Sequence, residues 1–167
     1  MNNYGDGPLS VALCLGYGAY LDLLLLKGAD VNKANIYGQT PLFRQVSVGN
    51  DYFIIELINN GADVNVVDIN GETPIFIAVK KNQFMVVKIL LANGADINMV
   101  NVEGMTPIIY AICLDNFNIA QILIEHSPQL LRIKSNESIY TINGIGKFCP
   151  TKLNVYQDLV KEIINIA

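Results

Sequence analysis

The sequence has no tryptophan, one histidine (His126) and three cysteines (Cys14, Cys113 and Cys149). A zinc site needs three or four ligands at workable spacings, and none of these cysteines lies close to another in the chain. A Cys–His or Ser–His dyad would have to use His126, which reads as a helix-end residue rather than as a base or ligand. Neither GxxxxGK[ST] nor GxGxxG before a helix occurs, and Gly144-Ile145-Gly146-Lys147 lacks the spacing and flanking elements that cradle phosphate. No metal, cofactor or catalytic group is therefore expected.

Charge is also scarce. Only 16% of residues are charged, 11 basic against 15 acidic, and no basic block stands out. Nucleic acid is thus not an expected partner, because such binding leans on Lys and Arg neutralising phosphates. Long apolar runs are missing as well. Leu23-Leu24-Leu25-Leu26 is far too short to span a bilayer, and the turn-rich start Met1-Asn2-Asn3-Tyr4 has no basic leader region. With 51% hydrophobic residues in a chain of 167, a single domain with a sizeable core is the natural expectation. Three cysteines without close pairs fit a reducing, cytoplasmic compartment, where Asn136-Glu137-Ser138 is a chance match to a glycosylation acceptor.

What is present is a period. Gly28-Ala29-Asp30-Val31-Asn32 recurs as Gly61-Ala62-Asp63-Val64-Asn65 and as Gly94-Ala95-Asp96-Ile97-Asn98, about 33 residues on each time. Thr40-Pro41-Leu42, Thr73-Pro74-Ile75 and Thr106-Pro107-Ile108 keep the same step, as do Gly38, Gly71 and Gly104. Gly5 and Gly7-Pro8-Leu9 extend both series backwards.

Each unit reads alike. Thr40 suits a helix cap and Pro41 the first helical position, where a missing N–H costs nothing. Leu42, Phe43 and Val46 follow at helical spacing, Gly49-Asn50 breaks that helix, and Phe53, Ile54, Leu57 and Ile58 form a second apolar stripe. Gly61 stops the second helix by taking a conformation that other residues adopt at a cost. Asp68-Ile69-Asn70-Gly71 suits a turn. The third unit has helices from Thr73-Pro74 and from Phe84 to Ala92, and the fourth from Thr106-Pro107 and from Phe117 through Glu125. Two short helices cannot bury their apolar faces alone, so neighbouring units must stack.

On Gly38-Gln39-Thr40-Pro41-Leu42, Gly61-Ala62-Asp63-Val64-Asn65 and their copies, the sequence resembles the ankyrin repeat family. The resemblance implies an all-α repeat solenoid of helix-turn-helix units joined by β-turn or hairpin loops. About four repeats are expected over 1–137 (1–34, 35–67, 68–100 and 101–137). A degenerate capping segment with a terminal helix follows over 138–167, its apolar positions Leu159, Val160, Ile163 and Ile164. The resemblance also implies a non-catalytic scaffold that binds a partner protein through hairpin tips and inner-helix faces. Richness in Asn and Ile is similar to ankyrin proteins of viruses and intracellular bacteria, which implies a host cytoplasm as one setting. Three features depart from the pattern. The family's common His after Thr-Pro-Leu is replaced by Ser10, Phe43, Phe76 and Ile109, which puts hydrogen bonding between repeats in doubt. Arg44 and Gln45 stand where other units have apolar or small residues; they either snorkel at the repeat junction or, for Arg44, meet a partner. The first unit's outer helix, Leu21 to Leu26, lacks a polar face.

Positions that vary while the frame stays fixed are the candidate contacts. At the tips these are Ile36, Tyr37 and Gln39, then Ile69, Asn70 and Glu72, then Val102, Glu103 and Met105. The inner helix ends add Ser47 and Val48, Lys80 and Lys81, and Leu114 and Asp115. Tyr37, Gln39, Arg44, Val48, Ile69, Asn70, Glu72, Lys81, Glu103, Met105 and Leu114 form the expected partner-binding set, with Tyr37, Ile69 and Met105 as its apolar centre. Ile36, Ile69 and Val102 have a second reading, packing hairpin on hairpin. Asp30, Asp63 and Asp96 are expected to bind their own turns. The alternative function is a homo-oligomeric or structural protein built on the apolar first repeat and the C-terminal helix.

Overall fold

The computed structural model describes residues 3–127. The expected capping segment and terminal helix over 138–167 lie outside the described residues. The chain divides into two compact units, Met1–Ala95 and Asp96–Ala167.

In the first unit the helices come in pairs: α1 (Pro8–Cys14) with α2 (Leu21–Leu26), α3 (Pro41–Val48) with α4 (Asp51–Asn59), and α5 (Pro74–Lys80) with α6 (Phe84–Ala92). A short 3-10 turn, Gly18–Tyr20, leads into α2. The inner helices stack in order, α1 on α3 and α3 on α5, while α4 packs on α6. The buried core is the periodic set: Leu9 and Leu13, Leu42 and Val46, Ile75 and Val79 from the inner helices, with Ile54, Leu57, Val87 and Leu90 from the outer ones. The second unit begins with one more pair, α7 (Pro107–Cys113) and α8 (Phe117–Glu125), closed on Ile108, Ile112, Ile119 and Leu123.

Proline opens every inner helix. The threonine before it caps in two of the three cases. Thr40 Oγ1 accepts from the Phe43 N–H and Thr106 Oγ1 from the Ile109 N–H, each at 3.4 Å. Thr73 does not follow. There the Phe76 N–H donates to the Thr73 carbonyl at 2.9 Å, and the Thr73 hydroxyl is buried without a partner. Inner helices end in a left-handed residue at one repeating position: Gly16, Gly49, Asn82 and Asp115. Asn and Asp are the non-glycine residues that tolerate this conformation best, so the break survives the loss of glycine.

The loops are held by side chains at fixed offsets. Asp30, Asp63 and Asp96 each accept the N–H two residues on at 2.8 Å, as expected of turn residues. Asn35, Asp68 and Asn101 organise the hairpins. Each carboxamide or carboxylate oxygen accepts from the N–H groups two and four residues on, at 2.8–3.0 Å. Within the first unit the hairpins also join through backbone, Ile36 N–H to Tyr4 carbonyl and Ile69 N–H to Tyr37 carbonyl, both at 3.0 Å. Hydrogen bonding between repeats persists without the histidine. Asn32 donates to the Gly61 carbonyl at 3.0 Å and accepts from the Asp63 N–H at 2.8 Å, and Asn65 donates to the Gly94 carbonyl at 3.0 Å.

Cys14 is free and exposed. Cys113 is the last residue of α7.

Candidate functional site

The inner helices of the first unit are wound alike, so residues one repeat apart fall into columns. Val11, Arg44 and Ile77 form one column on α1, α3 and α5, and Cys14, Ser47 and Lys80 another. A pocket of about 290 Å³ lies across these columns. Its walls come from Cys14 on α1, Ile77 on α5, and Phe43, Arg44, Ser47 and Val48 on α3, with Gln39 entering from the hairpin before α3. Three of the sequence-derived contact residues, Gln39, Arg44 and Val48, therefore meet at one place. Val48 is 73% exposed and stands at the rim, while Phe43 is buried.

Arg44 is the charged group of this pocket. Its Nε and Nη2 atoms donate to Cys14 Sγ at 3.3 and 3.2 Å. That contact raises the guanidinium pKa above its ordinary value, against the opposing effect of burial, with weaker electrostatic help from Cys14, Asp6 and Tyr4. No carboxylate lies within ion-pair distance of Arg44 among the described residues. Asp6 itself is buried and accepts from Asn35 Nδ2 at 2.9 Å. Gln45, beside Arg44, does not snorkel; it is 3% exposed inside the stack.

The tips divide. Tyr37 and Ile69 are 40% and 63% exposed in the first unit, Asn70 and Lys81 are exposed there too, and Glu103 and Leu114 are exposed in the second unit. Glu72 and Met105 are not at the surface. Glu72 is 3% exposed and its carboxylate pairs with Lys80 Nζ at 2.6 Å; Met105 is 9% exposed. Both occupy the returning limb of the hairpin, where the side chain turns inward, as Asp6 does in the first repeat. The apolar centre expected at Tyr37, Ile69 and Met105 thus loses Met105.

One surface outside this set is larger than the sequence suggested. Leu15, Tyr17, Tyr20, Leu23 and Leu24 line an open groove of about 570 Å³ on the first repeat. Leu26 stands clear of it at 83% exposure.

Among the described residues, no group of three or more His, Cys, Asp or Glu side chains is placed to hold a metal ion, and no helix is long and apolar enough to cross a membrane. No curated protein matches the chain. A family model for ankyrin repeats, in 3 copies, matches residues 42–135, more than half of the 167. With the eight α-helices of the described residues paired at one repeating interval along the sequence, the chain belongs to the ankyrin repeat family, whose members generally bind other proteins and are typically non-catalytic.

Proposed function

We propose that this chain binds a partner protein across the inner-helix face of its first unit, with the hairpin tips at Tyr37 and Ile69 as a flanking contact. The observation that supports this reading is the pocket. It brings Gln39, Arg44 and Val48 together from a hairpin and a helix, with an apolar floor at Phe43 and polar groups at the edge. An apolar centre with a polar rim is the usual anatomy of a protein interface. The test is capture of a partner by the full chain, compared with Val48→Glu on the inner face and Met85→Ala on the outer helix α6, where Met85 is 59% exposed. Loss with Val48→Glu alone supports the reading. Equal capture by both variants places the contact elsewhere and defeats it.

The groove on the first repeat favours a second reading, self-association. Leu15, Tyr17, Tyr20, Leu23 and Leu26 are 64%, 56%, 53%, 48% and 83% exposed. At roughly 200 Å² per full side chain, that is on the order of 600 Å² of surface. Monomers seldom leave more than a few hundred Å² of contiguous apolar surface open, and a standard interface takes about 800 Å² from each partner. A groove with Leu26 projecting beside it is suited to an isologous pair, each copy's projection entering the other's groove. Sedimentation of the full chain tests this. A dimer that Leu26→Glu converts to monomer supports it, and a monomer at all concentrations refutes it.

A further inference from the structure

We propose that the pocket at Arg44 receives an acidic side chain, Glu or Asp, from the bound partner. This rests on the reading of the inner-helix face as the binding surface and gives that surface its chemistry.

The guanidinium already presents one edge, Nε and Nη2, to a single point in the pocket, where Cys14 Sγ stands at 3.3 and 3.2 Å. This is the edge with which arginine holds a carboxylate through two parallel hydrogen bonds. Cysteine sulfur is a weak acceptor for it. A half-buried cation whose partner is a thiol gains when a carboxylate takes the thiol's place. The stem that carries the carboxylate finds apolar contacts at Phe43, Val48 and Ile77, and Gln39 and Ser47 supply neutral polar groups that do not repel it.

Charge selects among anions. The pocket is lined by one cation and no carboxylate. One side-chain carboxylate balances it, whereas a phosphorylated side chain brings a charge of about −2 and would remain half uncompensated. The chain's net charge of −4 does not oppose this at contact range, because charges separated by more than about 8 Å are largely screened at physiological salt.

The probe is a library of random 15-residue peptides displayed through their C-termini, so that every carboxylate they offer is a side chain. It is selected on the full chain, keeping peptides that Val48→Glu releases. The expected result is a shared Glu or Asp beside large apolar residues. Changing that residue to Gln or Asn should weaken binding at least tenfold. Arg44→Gln should weaken it similarly, with the two changes together costing little more than either alone, and Arg44→Lys should recover only part of the loss. The peptide-side change is independent of how any chain variant folds. Peptides that Val48→Glu releases but that share no acid, or are indifferent to Arg44→Gln, overturn this proposal and leave the binding face standing. Failure to obtain any peptide released by Val48→Glu overturns both.

Discussion

Two glycines with nearly the same backbone angle should respond very differently to a single methyl group. Gly38 and Gly61 have φ of +76° and +86°. A side chain in this left-handed region costs roughly 1–2 kcal/mol, partly offset by about 0.4–1 kcal/mol because alanine restricts the unfolded chain. At Gly61 nothing lies within 4 Å of an added Cβ, so that difference is the whole effect and Gly61→Ala should lose about 1 kcal/mol or less. At Gly38 the added Cβ meets the Val67 carbonyl oxygen and Asp68 Cα, both at 3.0 Å. These are backbone atoms of the next hairpin. They cannot swing aside as a side chain can, and they belong to the segment whose Ile69 N–H bonds back to Tyr37. Overpacking of this kind adds about 1–3 kcal/mol, so Gly38→Ala should lose about 2–4 kcal/mol. Urea unfolding followed by circular dichroism measures both variants against the parent chain. Losses that agree within about 0.5 kcal/mol, against an expected gap of at least 1, would refute the idea that hairpin contact between repeats, rather than the turn alone, dictates glycine.

Three further outcomes follow from the geometry. Thr40→Val should lower stability by about 1 kcal/mol through its cap, whereas Thr73→Val should be neutral or stabilising because its buried hydroxyl has no partner; thermal melts distinguish them. Asn35→Ala should cost about 2–3 kcal/mol by removing the acceptor of the Tyr37 and Gln39 N–H groups and the donor to Asp6, while Asn35→Asp should keep the turn but face Asp6 with like charge. Repulsion raises the folded-state pKa of that carboxylate pair, so the Asn35→Asp variant should recover stability as the pH falls and lose it again towards neutrality, read by denaturant titration at acid and neutral pH. Tyr37→Ala with Ile69→Ala should weaken partner capture by about 2 kcal/mol with an unchanged melting temperature; unaltered affinity would remove the tips from the interface.

The frame was legible because each repeat asks the backbone for the same unusual things at the same places. Proline at the helix start, glycine at its end and aspartate in the turn are answers to local geometry, and local geometry survives in sequence. Two further sets are legible at single positions, such as the break at Gly49 and the turn at Asp68, but not as columns: Asn35, Asp68 and Asn101 fold the hairpins, and Gly16, Gly49, Asn82 and Asp115 end the inner helices. Their residue types differ while their chemistry agrees, so identity alone hides them. The opposite error affected Glu72 and Met105. They vary between repeats, as contact residues do, but they vary because each repeat satisfies its inward-facing limb differently: Asp6 with Asn35, Glu72 with Lys80, and Met105 by apolar burial. Direction of the side chain, which decides between these cases, depends on the hairpin and is not written in the period.

Arg44 separates the two kinds of variation. Along its column α1 and α5 carry Val11 and Ile77, and the backbone that holds all three is set by the same caps, turns and bonds between repeats. A charge placed there is not needed to satisfy the frame. Glu72 is explained by Lys80 and Asp6 by Asn35, each inside the stack, whereas the bonds from the Arg44 guanidinium run to a thiol, with Asp6 acting on its charge only from a distance. If Arg44 served only packing, an uncharged side chain of similar length would fill the same space and give up only the bonds to Cys14. Arg44→Met should therefore change stability little in urea unfolding, while reducing the affinity of any acid-bearing peptide held on this face. A clear loss of stability with no effect on binding would instead assign Arg44 to the junction between repeats, and with it the pocket.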